Sequence, residues 1–135
     1  MFTTNTTPIA ALVLRVSTGV LFLAHALVKL LVFTPAGTAG YFQSLGLPGP
    51  LAYLVIAFEL AAAAALILGV YSRYFALASV PLLLGAGILG HGSNGWSFSS
   101  EGGGWEFPVF WAFVMVAVAL LDEGKYVLRT AAKPA

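Results

Sequence analysis

The residues of this chain that could do chemistry are few, and they stand alone in apolar sequence. Arg15, His25 and Lys29 lie in one apolar stretch, Glu59 in a second, His91 at the end of a third, and Glu106 at the start of a fourth. An imidazole titrates near neutral pH, so it can relay protons or hydrogen-bond a quinone carbonyl, and it can also ligate a haem iron. An ionisable group at membrane depth is expensive and is a functional candidate by default. His25, Glu59 and His91 are therefore the candidate catalytic residues. Arg15, His25, Lys29, His91 and Glu106 form the candidate cofactor-binding set. With two His, two Met and no Cys, no multi-ligand metal site is expected. The lack of Cys also removes disulfides, thiol redox chemistry, iron–sulfur clusters and covalent c-type haem.

The elements that must position these residues are membrane spans. Of 135 residues, 60% are hydrophobic and 8% charged, against roughly 25% charged in an ordinary soluble domain. Mean hydropathy is +0.96. A soluble fold of this size would leave about a third of its surface in water, which this composition does not suit. Net charge of +1 gives no footprint for nucleic acid. There is no G-x-x-x-x-G-K-[ST], G-x-G-x-x-G or G-x-S-x-G pattern, which sets aside phosphoryl transfer and dinucleotide binding.

On a template of about 20 residues per span, a single membrane domain over 1–135 divides into spans at about 9–33, 51–70, 74–91 and 106–121. The first opens at Thr7-Pro8, read as a cap followed by a proline in the first turn. It carries Arg15 and Lys29 and lacks a basic leader, so it is expected to stay as a span and not to act as a signal peptide. Pro48-Gly49-Pro50 breaks the chain before the second, and Pro81 bends the third. The connections at about 34–50 and 92–105 contain no Lys or Arg. Arg15, Arg73, Lys125, Arg129 and Lys133 fall at the other ends, which predicts both termini in the cytoplasm and the two long loops outside. The tail cations, in 122–135, are expected at anionic headgroups.

Depth follows from a rise of about 1.5 Å per residue: Arg15 roughly 9 Å in from the cytoplasmic end, Glu59 roughly 16 Å, His25 and His91 roughly 24 Å, and Lys29 and Glu106 at the outer rim. Arg15, Phe22, His25 and Lys29 project within an arc of about 80°. This polar stripe must face the bundle, since a charge at the centre of the lipid costs at least about 2.5–3.5 kcal/mol. Two pairings are expected, Arg15 with Glu59 and Lys29 with Glu106. In a functional reading, Glu59 takes protons, while Lys29 and Glu106, with Gln43 and Trp96, shape a cavity mouth. For His25 and His91, interhelical hydrogen bonding, quinone or proton chemistry, and ligation of a b-type haem all stay open. Segment 41–45 is read as an interfacial turn, and 92–104 as a lid or a linker.

These blocks resemble a known family. Leu14-Arg15, Gly19, Phe22-Leu23-Ala24-His25-Ala26 and Lys29-Leu30 are similar to the first helix of the DoxX family. Leu45-Gly46-Leu47-Pro48, Glu59 and Leu66-Ile67-Leu68-Gly69 resemble its second segment. His91-Gly92, Gly104-Trp105-Glu106-Phe107 and Leu121-Asp122 resemble its later blocks, so the likeness runs over about residues 9 to 123. Ala26 departs from it, since the family often has Gly after the His. The resemblance implies a small four-helix membrane protein of bacteria or archaea. It also implies a role beside quinone-linked oxidation of sulfur compounds, or in complexes that manage oxidative or thiol stress.

The resulting expectation is an all-α, integral membrane four-helix bundle of the inner (plasma) membrane, with both termini inside. It binds a quinone or similar amphiphile in its outer half as a redox-linked subunit. The alternative is a non-catalytic accessory subunit, and a membrane-protein partner or a second copy of the chain suits either.

Overall fold

In the computed structural model, residues 5–121 and 123–129 are described. Helix α1 (Thr7–Leu27) runs directly into a π-helical turn, Val28–Val32. Pro8 sits in the first turn, where a missing N–H costs nothing. The cap lies upstream of the expected Thr7: Thr6 is the N-cap, and the Thr7 N–H donates to Asn5 Oδ1 at 3.0 Å. The expected turn at 41–45 belongs to a ten-residue helix, α2 (Pro35–Ser44). It forms because Thr34 accepts the Gly37 N–H at 3.1 Å and Pro35 starts the helix.

Helix α3 (Leu51–Leu68) follows Pro50 and ends at Gly69, whose φ of 71° is the left-handed conformation that closes a helix. Helix α4 (Ser72–Gly85) contains Pro81 and continues as a second π-helical turn, Ala86–Gly90. A short 3₁₀ turn at Gly92–Asn94 leads through a loop to α5 (Glu106–Leu120). Among the described residues every regular element is helical, apart from one isolated bridge between Val70 and Arg129. Three helices are long and apolar enough to cross a membrane: Thr7–Val32, Leu51–Leu68 and Ser72–Gly90. The fourth apolar helix, α5, has 15 residues and rises only about 22 Å, short of a hydrocarbon core of about 30 Å.

The helices pack as two pairs, α1 on α3 and α4 on α5, with α3 and α4 joining them. Gly19 sets the first pair. A Cβ there would lie 2.8 Å from Ile67 Cγ1 and 3.1 Å from the Ile67 backbone nitrogen, so only glycine permits this approach. Phe22, Leu66, Leu83, Trp111 and Met115 fill the common core, with Phe22 and Trp111 ring centroids 4.6 Å apart.

Arg15 is 1% exposed and does not pair with Glu59, correcting the expected ion pair. Its guanidinium instead donates to five backbone carbonyls. Nη1 reaches Leu66 O at 2.8 Å and Ile67 O at 3.3 Å, Nη2 reaches Lys125 O at 2.9 Å and Tyr126 O at 3.3 Å, and Nε reaches Glu123 O at 3.1 Å. The tail is thereby folded onto the protein. Leu128 and Arg129 N–H donate to Gly69 O, and Tyr71 N–H donates to Arg129 O at 2.9 Å. Asp122 and Lys133 lie outside the described residues.

Two outcomes follow from this packing. Gly19→Val lowers stability in detergent by about 1–3 kcal/mol, the usual cost of overpacking, and an unchanged thermal midpoint would contradict the close crossing. Arg15→Met strips α3 and the tail of five charge-assisted bonds and costs roughly 3 kcal/mol or more. Hydrogen exchange at the Tyr71, Leu128 and Arg129 amides then accelerates; retained protection would show that the tail docks without Arg15.

Candidate functional site

Register carries the polar residues from the Gly19 crossing to the half of the bundle that holds the 92–104 loop. α1 and α3 run antiparallel, so the chain that sets Arg15 beside Leu66 brings Lys29 level with Glu59. Lys29 Nζ lies 3.0 Å from both Glu59 oxygens. The two side chains are 19% and 7% exposed. This is the ion pair that depth counting from the sequence missed. Lys29 reaches inward to the centre of α3, and not outward to the rim as expected for a snorkelling side chain.

Glu106, its expected partner, serves the loop at 92–104. Its Oε1 accepts the Phe98 N–H at 3.0 Å. The loop is closed further by Trp105 N–H to Gly95 O at 3.0 Å and Glu106 N–H to Trp96 O at 3.2 Å. Asn94 Nδ2 donates to Gly103 O at 2.9 Å, with His91 Nδ1 3.0 Å from the same oxygen. The segment 92–104 is thus folded on itself. Gln43 stands against Gly49, and Trp96 lines an aromatic surface groove with Phe98 and Phe110 that shares only Phe107 with the cavity described below, so neither residue lines that cavity.

A cavity of about 420 Å³ lies between the two helix pairs. Its walls are drawn from all five α-helical segments and are mostly apolar: Phe42 of α2 and Leu45 just after it, Val55 from α3, Leu82 and Leu89 from the α4 segment, Phe107 and Trp111 from α5. His25, Lys29, Glu59 and His91 all line it. The structure therefore brings these four together, while Arg15 and Glu106 stand apart. Within α1, His25 presents its ring to α5, with centroids 5.0 Å from Trp111 and 6.4 Å from Phe107. It has ring contacts but no hydrogen-bond partner among the described residues.

The backbone around the cavity is irregular at two places. The Phe33 N–H bonds Val28 O at 3.0 Å, and the His91 N–H bonds Ala86 O at 3.1 Å, both spanning five residues. Such π turns widen a helix and recur at functional sites. One carries Lys29 and the other ends at His91. Tyr41 donates to Gly90 O at 3.2 Å, pinning α2 across the end of α4.

The α2 and α5 contributions were not anticipated from the sequence. Phe107 and Trp111 are one helical turn apart, and that spacing was the available signal for a second aromatic wall. Chemically, the site offers an apolar slot with polar groups of both kinds, donors and acceptors. Its volume falls within the 300–1,000 Å³ or so of small-molecule sites.

The Lys29–Glu59 pair yields a direct test. Lys29→Met alone strands a buried carboxylate and costs about 3–5 kcal/mol, whereas Lys29→Met with Glu59→Leu recovers most of the loss. Thermal unfolding of the single and double variants measures this coupling, and additive effects would mean the pair is not formed.

Comparisons with known proteins agree with this architecture. The chain is 29% identical over 116 residues to the inner membrane protein YphA of Escherichia coli (strain K12), covering 84% of this chain and 80% of that protein. It is 36% identical over 78 residues to the "Putative oxidoreductase CatD" of Bacillus subtilis (strain 168), covering 58% of this chain and 57% of that protein. No solved structure is a significant match. The DoxX family model matches residues 10–92, the stretch that holds Arg15, His25, Lys29, Glu59 and His91, and the chain is a membrane protein that belongs to the DoxX family.

Proposed function

We propose that the cavity holds a quinone or a similar small amphiphile, and that the protein is a redox-linked membrane subunit. The observation that carries this reading is the cavity itself: an apolar slot of about 420 Å³ with His25, Lys29 and His91 on its walls. A ring bearing two oxygens matches such a slot, since its faces pack on Phe107 and Trp111 while its oxygens meet the polar groups. The name "Putative oxidoreductase CatD" of that relative supports the redox link.

In this reading the bundle crosses the membrane four times, with α5 as the shortest span. Arg73, Lys125 and Arg129 mark the cytoplasmic end, and the outer loops without Lys or Arg lie on the other side. The chain has no Cys, hence no thiol or iron–sulfur electron carrier of its own. Electrons therefore arrive from a partner in the membrane or at its surface. Proton transfer falls to the histidines more readily than to Glu59, because a proton on Glu59 would take away the counter-charge of Lys29.

The test is an ultraviolet–visible spectrum of the purified protein together with an organic extract. A quinone band is expected in the extract of the native protein, falling about tenfold in His25→Ala, the loss of one good hydrogen bond and its packing. Equal quinone content in both proteins overturns the reading. A Soret band would assign the histidines to haem. Neither band, with a large co-purifying partner, would favour an accessory role.

A further inference from the structure

The closed outer loop constrains the ligand in a way that cavity volume does not. His91 Nδ1 lies 3.0 Å from the carbonyl oxygen of Gly103. A carbonyl oxygen only accepts, so the ring nitrogen beside it carries the proton. In the neutral imidazole the other nitrogen, Nε2, is then a lone pair without a hydrogen. Nε2 has no partner among the described residues and is not sealed from contact, and His91 is one of the residues that line the cavity.

Lys29 has the opposite character. Two of its three N–H groups are taken by the Glu59 oxygens, and the third can only donate. The cavity therefore presents an acceptor at His91 and a donor at Lys29. A quinone brings an acceptor at each end, so one of its carbonyls sets a lone pair against the lone pair of Nε2. The reduced ring, with a hydroxyl at each end, gives a donor to Nε2 and still accepts from Lys29.

We propose that the cavity selects the reduced, hydroxyl-bearing ring over its quinone: His91 Nε2 accepts the O–H of a hydroquinone, and Lys29 Nζ donates to its other oxygen. This rests on the reading that a quinone-type ligand occupies the cavity. It adds the redox form that binds and makes His91 the residue that sets the preference. The loop tether at Gly103 does the positioning, since it fixes both the ring and its tautomer.

The experiment uses the full chain in nanodiscs under anaerobic conditions, titrated with durohydroquinone and with duroquinone. The native protein is expected to bind the hydroquinone about tenfold tighter, the worth of one satisfied against one mismatched hydrogen bond. His91→Asn keeps a donor where Nδ1 stood and removes Nε2, so it binds both forms alike without opening the loop. Nitrogen-15 NMR of the labelled imidazole is expected to show the Nδ1–H tautomer. Equal or quinone-favouring affinity in the native protein overturns the inference, as does an imidazolium or an Nε2–H ring. If duroquinone still binds and is lost in His25→Ala, the failure belongs to the inference alone. If neither form binds, the parent reading falls with it.

Discussion

The structure depends on how one helix end is satisfied in apolar surroundings. A helix leaves its last carbonyls without partners, and lipid offers none. At the end of α3, Gly69 and Val70 N–H close on Ala65 O, Arg15 takes Leu66 O and Ile67 O, and the Leu128 N–H lies 3.3 Å from Leu68 O. Every orphan acceptor at that end is thereby answered. The guanidinium also sets positive charge against the negative end of the helix dipole and lies within electrostatic reach of the Glu123 carboxylate. One side chain thus joins α1, α3 and the tail.

What this clamp fixes is register, and register makes the site. From Arg15 the α1–α3 contact passes Gly19, where the backbones come closest, and reaches Lys29 opposite Glu59. A slip of one residue would rotate Lys29 away by about 100° and leave two charges buried apart. The clamp and the ion pair hold the two ends of one helix pair. The cavity lies beside the ion pair, between the two helix pairs, with two π turns at its wall.

The polar stripe on α1 was legible from spacing alone, because a helix through lipid has little freedom in where it turns its charges. The stripe, the helical class and the inward placing of Arg15 and Lys29 follow from it. The partners did not follow. Matching charge with charge by depth gave Arg15 to Glu59, but the groups Arg15 needed were carbonyls, which carry no sequence signature. Lys29 was assigned to the rim because a free lysine snorkels toward water. The pull of a buried carboxylate on an adjacent helix outweighs that tendency, and the reach of a four-carbon stem makes it possible. Of helix α2 the sequence suggests only an interfacial turn at 41–45, since its few apolar residues give little periodicity. Its cap at Thr34-Pro35 was the better signal.

The internal pairing of Lys29 also bears on what class of molecule the cavity suits. An unpaired lysine in an apolar slot would draw an anion, and a carboxylate or phosphate would then be the natural ligand. Here both Glu59 oxygens already hold the ammonium at 3.0 Å. An anion would therefore meet an ammonium whose charge is already balanced and would bring a second, uncompensated negative charge into the slot, at a cost of several kcal/mol. A neutral ring needs only the one free N–H. The neutral charge balance of the pair, with the aromatic walls of Phe107 and Trp111, favours an uncharged amphiphile drawn from the bilayer over a polar solute drawn from water.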